Sequence, residues 1–282
     1  MLLQYTILQV IRAGSSTPLL VETPEARKYL VKLCAGLSGQ SAILSEWLSG
    51  HMGVALGLPL DEPLPLLITE HTPIGHLYIE YRELIQKSLG LNLALPYHEP
   101  AEPYLPPASP GAAERELFDR LYLFDVLLLN IDRSVQNPNL LRSGGRLIAR
   151  DYESSFLWSG VLERRDYAGA ASILGQLREN PFFRPGIGAE TIDSFFAQLH
   201  ALDVPALVQS LPEEWLARLS PVVEDLQIAL REKLTAVFHD DAAFRRLLLA
   251  IEAMVPETTA DRRQRQLANR RAFEQSFREK KS

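Results

Sequence analysis

The first part of the chain alternates short β-forming runs with polar or glycine-containing breaks. Residues 4–12 (QYTILQVIR) form the first run, and Ala13–Pro18 (AGSSTP) interrupts it. Leu19–Glu22 and Tyr29–Leu33 are two further runs, joined by a polar turn that contains Pro24. Runs of this length, bounded by such breaks, are typical of strands. The pattern predicts a small antiparallel sheet with a Gly/Ser turn between its first two strands.

A helical periodicity replaces this pattern from about Gln40 to Leu56, and Ser41 stands where an N-cap is expected. The apolar positions that fall near one face of this segment are Ile43, Trp47, Met52 and Leu56. A further strand is predicted at Leu66–Thr69 (LLIT). The N-terminal part is therefore expected to combine a small sheet with one helix.

Prolines dominate the segment between Pro96 and Pro110. Because proline lacks a backbone N–H and clashes with the preceding turn, this segment is predicted to be an exposed loop or a linker. From Ala112 a helical pattern runs to near Asn130, and a polar loop follows it. A Gly144-Gly145 turn then precedes a short strand at Arg146–Ala149, which predicts a hairpin.

Most of the chain from about Thr191 onward also has helical periodicity. The order of elements predicts an α+β protein with a small sheet-containing lobe followed by a larger helical lobe, an order that many α+β proteins share. The predicted division is an N-terminal lobe at 1–95, a Pro-rich linker or loop at 96–111 and a helical C-terminal lobe at 112–282.

Composition narrows the possible classes of protein. The 282 residues suffice for one large domain or two packed lobes, and 46% are apolar, enough for a sizeable core. The formal net charge of −6 argues against a broad polyanion binder. Cys34 is the single cysteine, which excludes an internal disulfide and a thiolate zinc cluster. With no apolar run long enough for a membrane span and no signal-peptide pattern, we expect a soluble cytoplasmic protein.

The polar loop after the long helix carries the residues with the clearest chemistry. In residues 130–141 (NIDRSVQNPNLL), Asp132 is followed five residues later by Asn137. Such an Asp can orient an attacking hydroxyl and accept its proton, and the Asn oxygen can ligate magnesium, as phosphoryl transfer requires. The hairpin is expected to return Asp151 beside Asn137. The two side chains are then predicted to share a Mg²⁺ ion that bridges ATP phosphates, because Mg²⁺ needs few protein oxygens and keeps several waters.

A purely local interpretation is that Asp132, Asn137 and Asn139 only cap and turn the loop, for which these residue types are common. Two upstream residues favour a role of this loop in phosphoryl transfer. Lys32 lies inside an apolar strand, where a lysine either points to solvent or reaches nucleotide phosphates while a glutamate from the next helix holds it. Glu46 lies in that helix; alone it reads as an exposed helix position. Together with Lys32 and Asp132, it is predicted to be the ion-pair partner of the lysine.

The Gly/Ser turn lies where a loop covering the phosphates is expected. It has one glycine, so it lacks the Gly-x-Gly-x-x-Gly pattern, and the P-loop pattern is absent. Gly14, Ser15 and Ser16 are therefore assigned to nucleotide binding only by their position upstream of Lys32.

Taken together, these residues resemble the HipA-like kinases over roughly residues 5–160. The matching segments are Arg12–Pro18, Tyr29–Lys32, Ser45-Glu46, the Asp132–Asn137 loop and Asp151. The resemblance implies a two-lobed protein-kinase-like fold and the use of ATP and Mg²⁺, and a protein Ser or Thr is the favoured acceptor. It implies these roles: Lys32 for the ATP phosphates, Glu46 as its partner, Asp132 as catalytic base, and Asn137 and Asp151 as metal ligands.

One departure keeps alternatives open. The loop lacks the histidine that usually follows the catalytic Asp in this family, and Asp132-Arg133 with Asn137 is instead similar to the Asp-Arg-x-x-x-Asn loop of phosphatidylinositol 3- and 4-kinases. The alternatives are a small-molecule or lipid kinase on the same fold, and an inactive pseudokinase that binds nucleotide or a partner protein. The negative net charge argues against tight binding to an anionic membrane.

The basic segment from Asp261 could contact nucleic acid or an acidic partner, although a solvated terminal helix is the simpler interpretation.

Overall fold

The computed structural model describes residues 4–11, 17–36, 39–155 and 171–254. The assignments of Gly14, Ser15 and Ser16 and of the basic C-terminal segment lie outside these residues. Among the helices that are described, none combines the length and the apolar character that a bilayer crossing demands.

The N-terminal part is built on a five-stranded antiparallel sheet with the strand order β1-β2-β3-β5-β4. Its strands are β1 (Thr6–Val10), β2 (Leu19–Glu22), β3 (Lys28–Lys32), β4 (Leu64–Ile68) and β5 (Gly90–Pro96). The strands expected from sequence are present within two residues at most ends, whereas β5 was not predicted. Along β3, Tyr29 and Val31 are buried in one core cluster, so Leu30 and Lys32 lie on the other face.

The helix expected after β3 is α1 (Gly39–Ala55), and a second helix, α2 (Ile79–Lys87), was not predicted. Since α1 begins at Gly39, Ser41 lies inside its first turn, and the predicted N-cap is wrong. Buried residues run along α1 from Ala42 to Gly53 with few interruptions. A helix that is buried on all sides contacts other elements around its whole circumference.

The described residues of the C-terminal part are mainly helical and include a three-stranded sheet. The helices are α3 (Ala112–Leu127), α4 (Ala171–Arg178), α5 (Ala189–His200), α6 (Val204–Gln209), α7 (Glu213–Ala217), α8 (Val223–Phe238) and α9 (Asp241–Ala253). The strands are β6 (Glu102–Pro103), β7 (Leu140–Ser143) and β8 (Arg146–Ala149), and β7 and β8 form the predicted hairpin. The Pro-rich segment is thus not only loop, because β6 pairs with β7.

Within the described part of the chain, two hydrophobic clusters make up the core. The smaller one lies under the N-terminal sheet and includes Ile85 of α2. The larger one joins α1 to the helices of the C-terminal part, and it includes Trp47 and Trp215. The helix that carries Glu46 therefore packs mainly with the helical part of the chain. The position of Glu46 consequently depends on this packing.

Candidate active site

A single buried ammonium group gathers three carboxylates. Lys32 Nζ lies 3.0 Å from Glu46 Oε2, 2.8 Å from Asp151 Oδ1 and 3.1 Å from Glu153 Oε2. The contact predicted between Lys32 and Glu46 is therefore present. Burial alone would lower the pKa of Lys32, but the charges of these carboxylates outweigh burial and raise the pKa above its ordinary value. Lys32 is therefore a fixed positive charge at any physiological pH.

Glu46 also anchors the chain beyond the hairpin. Its side chain is 4% exposed, and its Oε2 accepts the backbone N–H of Tyr152 at 3.0 Å. One carboxylate thus links α1, β3 and the segment that carries Asp151. Such a link fixes the lysine and the acidic segment relative to each other.

The loop after α3 presents Asp132 to solvent and holds its carboxylate in place. Asn137 Nδ2 donates to Asp132 Oδ2 at 2.9 Å, and Asn139 Nδ2 donates to the same oxygen at 3.2 Å. The hydrogen bonds that Asn137 makes through its side chain use Nδ2, which leaves Oδ1 as an acceptor for a cation. Asn139 is buried and orients the loop, as the local interpretation expects, while Asp132 stays accessible to solvent, so its catalytic role stays a prediction.

Arg133 supports this loop from the protein interior. It is fully buried, and its Nε donates to Asp125 Oδ2 at 2.7 Å, while Nη1 donates to the carbonyls of Pro138 (2.7 Å) and Asn139 (3.0 Å). The guanidinium therefore spans from α3 to the far end of the loop. Burial alone would lower the pKa of Arg133, but Asp125 outweighs it, so the pKa is raised and the group stays charged.

Asp125 is the second half of this support. Its side chain is also fully buried, and it accepts Asn130 Nδ2 on Oδ1 at 3.0 Å and Asn180 Nδ2 on Oδ2 at 2.8 Å. A buried carboxylate needs such compensation, because an unpaired buried charge is strongly unfavourable. The loop is therefore connected through Arg133 to Asp125 of α3, and Asp125 is connected to Asn180, which follows α4.

The β7–β8 hairpin brings Asp151 back to the loop. Arg150 N–H donates to the carbonyl of Asn139 at 3.0 Å. Asp151 directly follows Arg150 in the chain, and Asn137 lies two residues before Asn139, so this bond joins the two segments that carry them. Asn139 and Asp151 have φ values of 49° and 64°, a left-handed conformation that Asn and Asp tolerate better than most residues. This turn directs the Asp151 carboxylate toward Lys32.

A pocket lies between the N-terminal sheet and the hairpin. Its lining comes from β3, the end of β5 and the hairpin, and includes Leu30, Leu95, Pro96, Tyr97, His98, Leu141 and Ile148. Glu46 and Arg150 also line it, so the cavity reaches the carboxylate cluster. An apolar cleft that ends at charged groups is a typical small-molecule site.

The end of β5 and the two residues after it line this cavity. Tyr97 N–H donates to the carbonyl of Lys28 at 2.9 Å. Because backbone groups alternate in direction along an antiparallel strand, Pro96 and His98 direct theirs to the opposite side. On that side β4 ends its pairing at Ala94. If this alternation continues past the end of β5, we expect the Pro96 carbonyl and the His98 N–H on the side that the described residues of β4 leave uncovered.

The sequence did not indicate several parts of this site, namely Glu153, Arg133, Asp125 and the strand end at 95–98. Glu153 follows Asp151 by two residues, and an extra carboxylate next to this predicted metal ligand was the available signal. Asp125 and Arg133 stand eight residues apart on opposite sides of a helix end, and only the folded chain pairs them.

No group of three or more His, Cys, Asp or Glu side chains in the described ranges forms a metal site by itself. A carboxylate and an amide oxygen nevertheless suit Mg²⁺, which takes hard oxygens and keeps waters.

The protein-kinase-like fold is defined by a small antiparallel sheet, a buried Lys–Glu pair, a helical part and an Asp-bearing loop beside the β7–β8 hairpin. Comparison with known proteins narrows this class. The model of the HipA-like kinase family matches residues 5–246, and the chain belongs to that family. The search of curated proteins gives no match.

A solved structure supports this fold. A Helicobacter pylori proinflammatory kinase, CtkA, superposes with a TM-score of 0.52 at 12% sequence identity, covering 89% of this chain and 98% of that chain. The MAP kinase LmaMPK10 from Leishmania major aligns over 89% of this chain and 84% of that chain at 11% identity, with a TM-score of 0.26 that is too low to support an argument. At these identities the similarity to CtkA concerns the fold alone.

Proposed function

We propose that this chain is an ATP- and Mg²⁺-dependent kinase that phosphorylates a hydroxyl acceptor, with a protein Ser or Thr favoured. The observation that carries the proposal is the convergence of Lys32, Glu46 and Asp151 within hydrogen-bond distance at the end of an apolar cleft. Kinase-like phosphotransferases use a Lys–Glu pair and a metal-binding Asp in this way.

The nucleotide would enter with its adenine between Leu30 and Leu141. The carbonyl of Pro96 would accept from the adenine amino group, and the N–H of His98 would donate to a ring nitrogen. The phosphates would then extend toward Lys32, since the cleft ends at this ammonium group. Lys32 would exchange at least one carboxylate partner for phosphate oxygens.

Asn137 Oδ1 and the Asp151 carboxylate would hold Mg²⁺. The bound ion would supply neutralisation of the charge that develops on the transferred phosphoryl group. Asp132, held by two amide groups, would orient the acceptor hydroxyl and accept its proton as the oxygen–phosphorus bond forms. The bond between the γ-phosphorus and the bridging oxygen breaks in the same reaction, and ADP leaves.

A thermal-shift titration combined with a transfer assay tests this proposal. Millimolar ATP with Mg²⁺ should raise the melting temperature, because a ligand that binds only the folded state stabilises it. Lys32→Ala should reduce that shift, whereas exposed Lys87→Ala, at the end of α2, should not. Labelled phosphate from [γ-³²P]ATP should reach the protein itself, with Ser15, Ser16 and Thr17 as candidate autophosphorylation sites, or an acceptor in a lysate. An unchanged melting temperature would refute nucleotide binding, and binding without transfer to any acceptor would indicate a pseudokinase.

A further inference from the structure

Three consecutive residues of α1 each contact a different part of the molecule. Ser45 Oγ donates to the carbonyl of Ser155 at 2.9 Å, and Glu46 receives Lys32 as described. Trp47 points elsewhere, and its Nε1 donates to Ser210 Oγ, at the end of α6, at 3.0 Å. Ser210 Oγ in turn donates to the carbonyl of Leu207, so its hydroxyl is oriented to accept from Trp47.

Trp215 of α7 completes the contact with α1. Its ring lies edge-on to the ring of Trp47, with the centroids 5.2 Å apart, and its side chain is fully buried. Edge-to-face aromatic pairs of this kind are stabilising beyond the area that they bury. The indole N–H of Trp215 donates to the carbonyl of Leu91 in β5 at 2.8 Å. One side chain thus packs on α1 and is fixed to the N-terminal sheet.

Two more side chains attach α7 to the sheet. Glu214 Oε1 accepts the N–H of Leu91 at 2.9 Å, and Arg218 Nη2 donates to the carbonyl of Leu89 at 2.8 Å. Both polar backbone groups of Leu91 are therefore bound by α7. We call Ser210, Glu214, Trp215 and Arg218 the α6–α7 brace.

We propose that the α6–α7 brace positions α1 so that Glu46 meets Lys32, and that this arrangement keeps the site assembled in the isolated chain. The consequence for nucleotide rests on the proposed function. Adjacent residues of an α-helix point about 100° apart. A rotation of α1 that moved Trp47 off the brace would therefore turn Glu46 away from Lys32. In kinase-like folds this helix position decides whether the Lys–Glu pair forms.

The direct test is hydrogen exchange of the α1 amides in the combined variant Ser210→Ala/Trp215→Phe. It removes the two hydrogen bonds by which the brace holds Trp47 and Leu91, together with the local Ser210–Leu207 bond, and it keeps an aromatic ring at position 215. Local opening of α1 should increase by about fivefold for each of the two brace bonds removed. The matched controls are Ser220→Ala, which loses only local bonds to Val222, and Phe244→Leu, which weakens the α5–α9 packing away from α1. Exchange in α1 that stays unchanged, or that rises equally in Phe244→Leu, would overturn the proposal.

A double-mutant cycle with Glu46→Gln separates positioning from general destabilisation. If the brace acts through Glu46, Ser210→Ala/Trp215→Phe should weaken ATP–Mg²⁺ binding about tenfold in the wild-type background and hardly at all beside Glu46→Gln. Full additivity would refute the link to Glu46. Wild-type protein that binds no nucleotide would refute the proposed function, while the exchange experiment would still decide whether the brace holds α1.

Discussion

Glu153 Oε2 lies 3.1 Å from the ammonium group of Lys32, and its side chain is 12% exposed. A lysine has three N–H donors, and those of Lys32 are directed at Glu46, Asp151 and Glu153. Three carboxylates around one ammonium leave a local excess of negative charge. Phosphate oxygens can bind Lys32 only when one carboxylate gives up its hydrogen bond.

The first prediction is that Glu153→Gln strengthens nucleotide binding. The change removes one negative charge beside the phosphate site, and we expect affinity for Mg²⁺-free ADP to rise on the order of tenfold, or ~1.4 kcal/mol. Isothermal titration calorimetry with and without Mg²⁺ measures it. Glu153→Asp keeps the charge and is the matched control. Weaker binding by Glu153→Gln would mean that Glu153 holds Lys32 ready for the phosphates.

The Lys32–Glu46 contact could be predicted from a combination of signals. A lysine in an apolar strand and a glutamate in the next helix are each ambiguous alone, and the Asp132 loop favoured pairing them; strand alternation places Lys32 opposite the buried Tyr29 and Val31. The signal of the Asp132 loop, in contrast, is local. Its spacing of Asp and Asn is contained in a few residues, so no tertiary information is needed.

The rest of the site depends on contacts that spacing does not encode. Arginine is rarely fully buried, and Arg133 is buried only because Asp125 and two carbonyls receive its donors. Strand β5 (GLNLALP) was missed because a short leucine-rich run suits a helix or a strand equally. The cleft wall at Pro96–His98 was hidden with it, because proline content there indicated only a loop.

The second prediction concerns the buried pair of Arg133 and Asp125. Arg133→Met leaves the Asp125 carboxylate buried without its main partner, which should lower the free energy of unfolding by about 3–5 kcal/mol. Urea denaturation measures this value. Arg133→Met/Asp125→Leu removes both charges and should recover part of the loss. A double variant as unstable as the sum of the two single variants would show that the pair does not act as a unit.

The third prediction tests the backbone of the cleft wall. His98→Pro removes the N–H that would bind adenine, and it should weaken ATP–Mg²⁺ binding by about fivefold, the net worth of one hydrogen bond. His98→Ala keeps the N–H and loses only the side-chain contact to Asp61, 2.7 Å away, so it is the matched control. Thermal-shift titrations give both affinities. Equal losses in the two variants would assign the effect to the Asp61 contact instead.

The last prediction separates catalysis from binding at the Asp132 loop. Asp132→Asn keeps the size of the side chain and an oxygen that can accept from Asn137 and Asn139, but it removes the charge and most of the basicity. Turnover should fall by about 10²–10⁴, the usual worth of general-base catalysis, while ATP–Mg²⁺ affinity stays near wild type. Asp151→Asn should instead lose Mg²⁺-dependent affinity together with turnover, because it weakens a metal ligand. Parallel calorimetry and autophosphorylation rates distinguish the two, and full-rate transfer by Asp132→Asn would place the base at another residue.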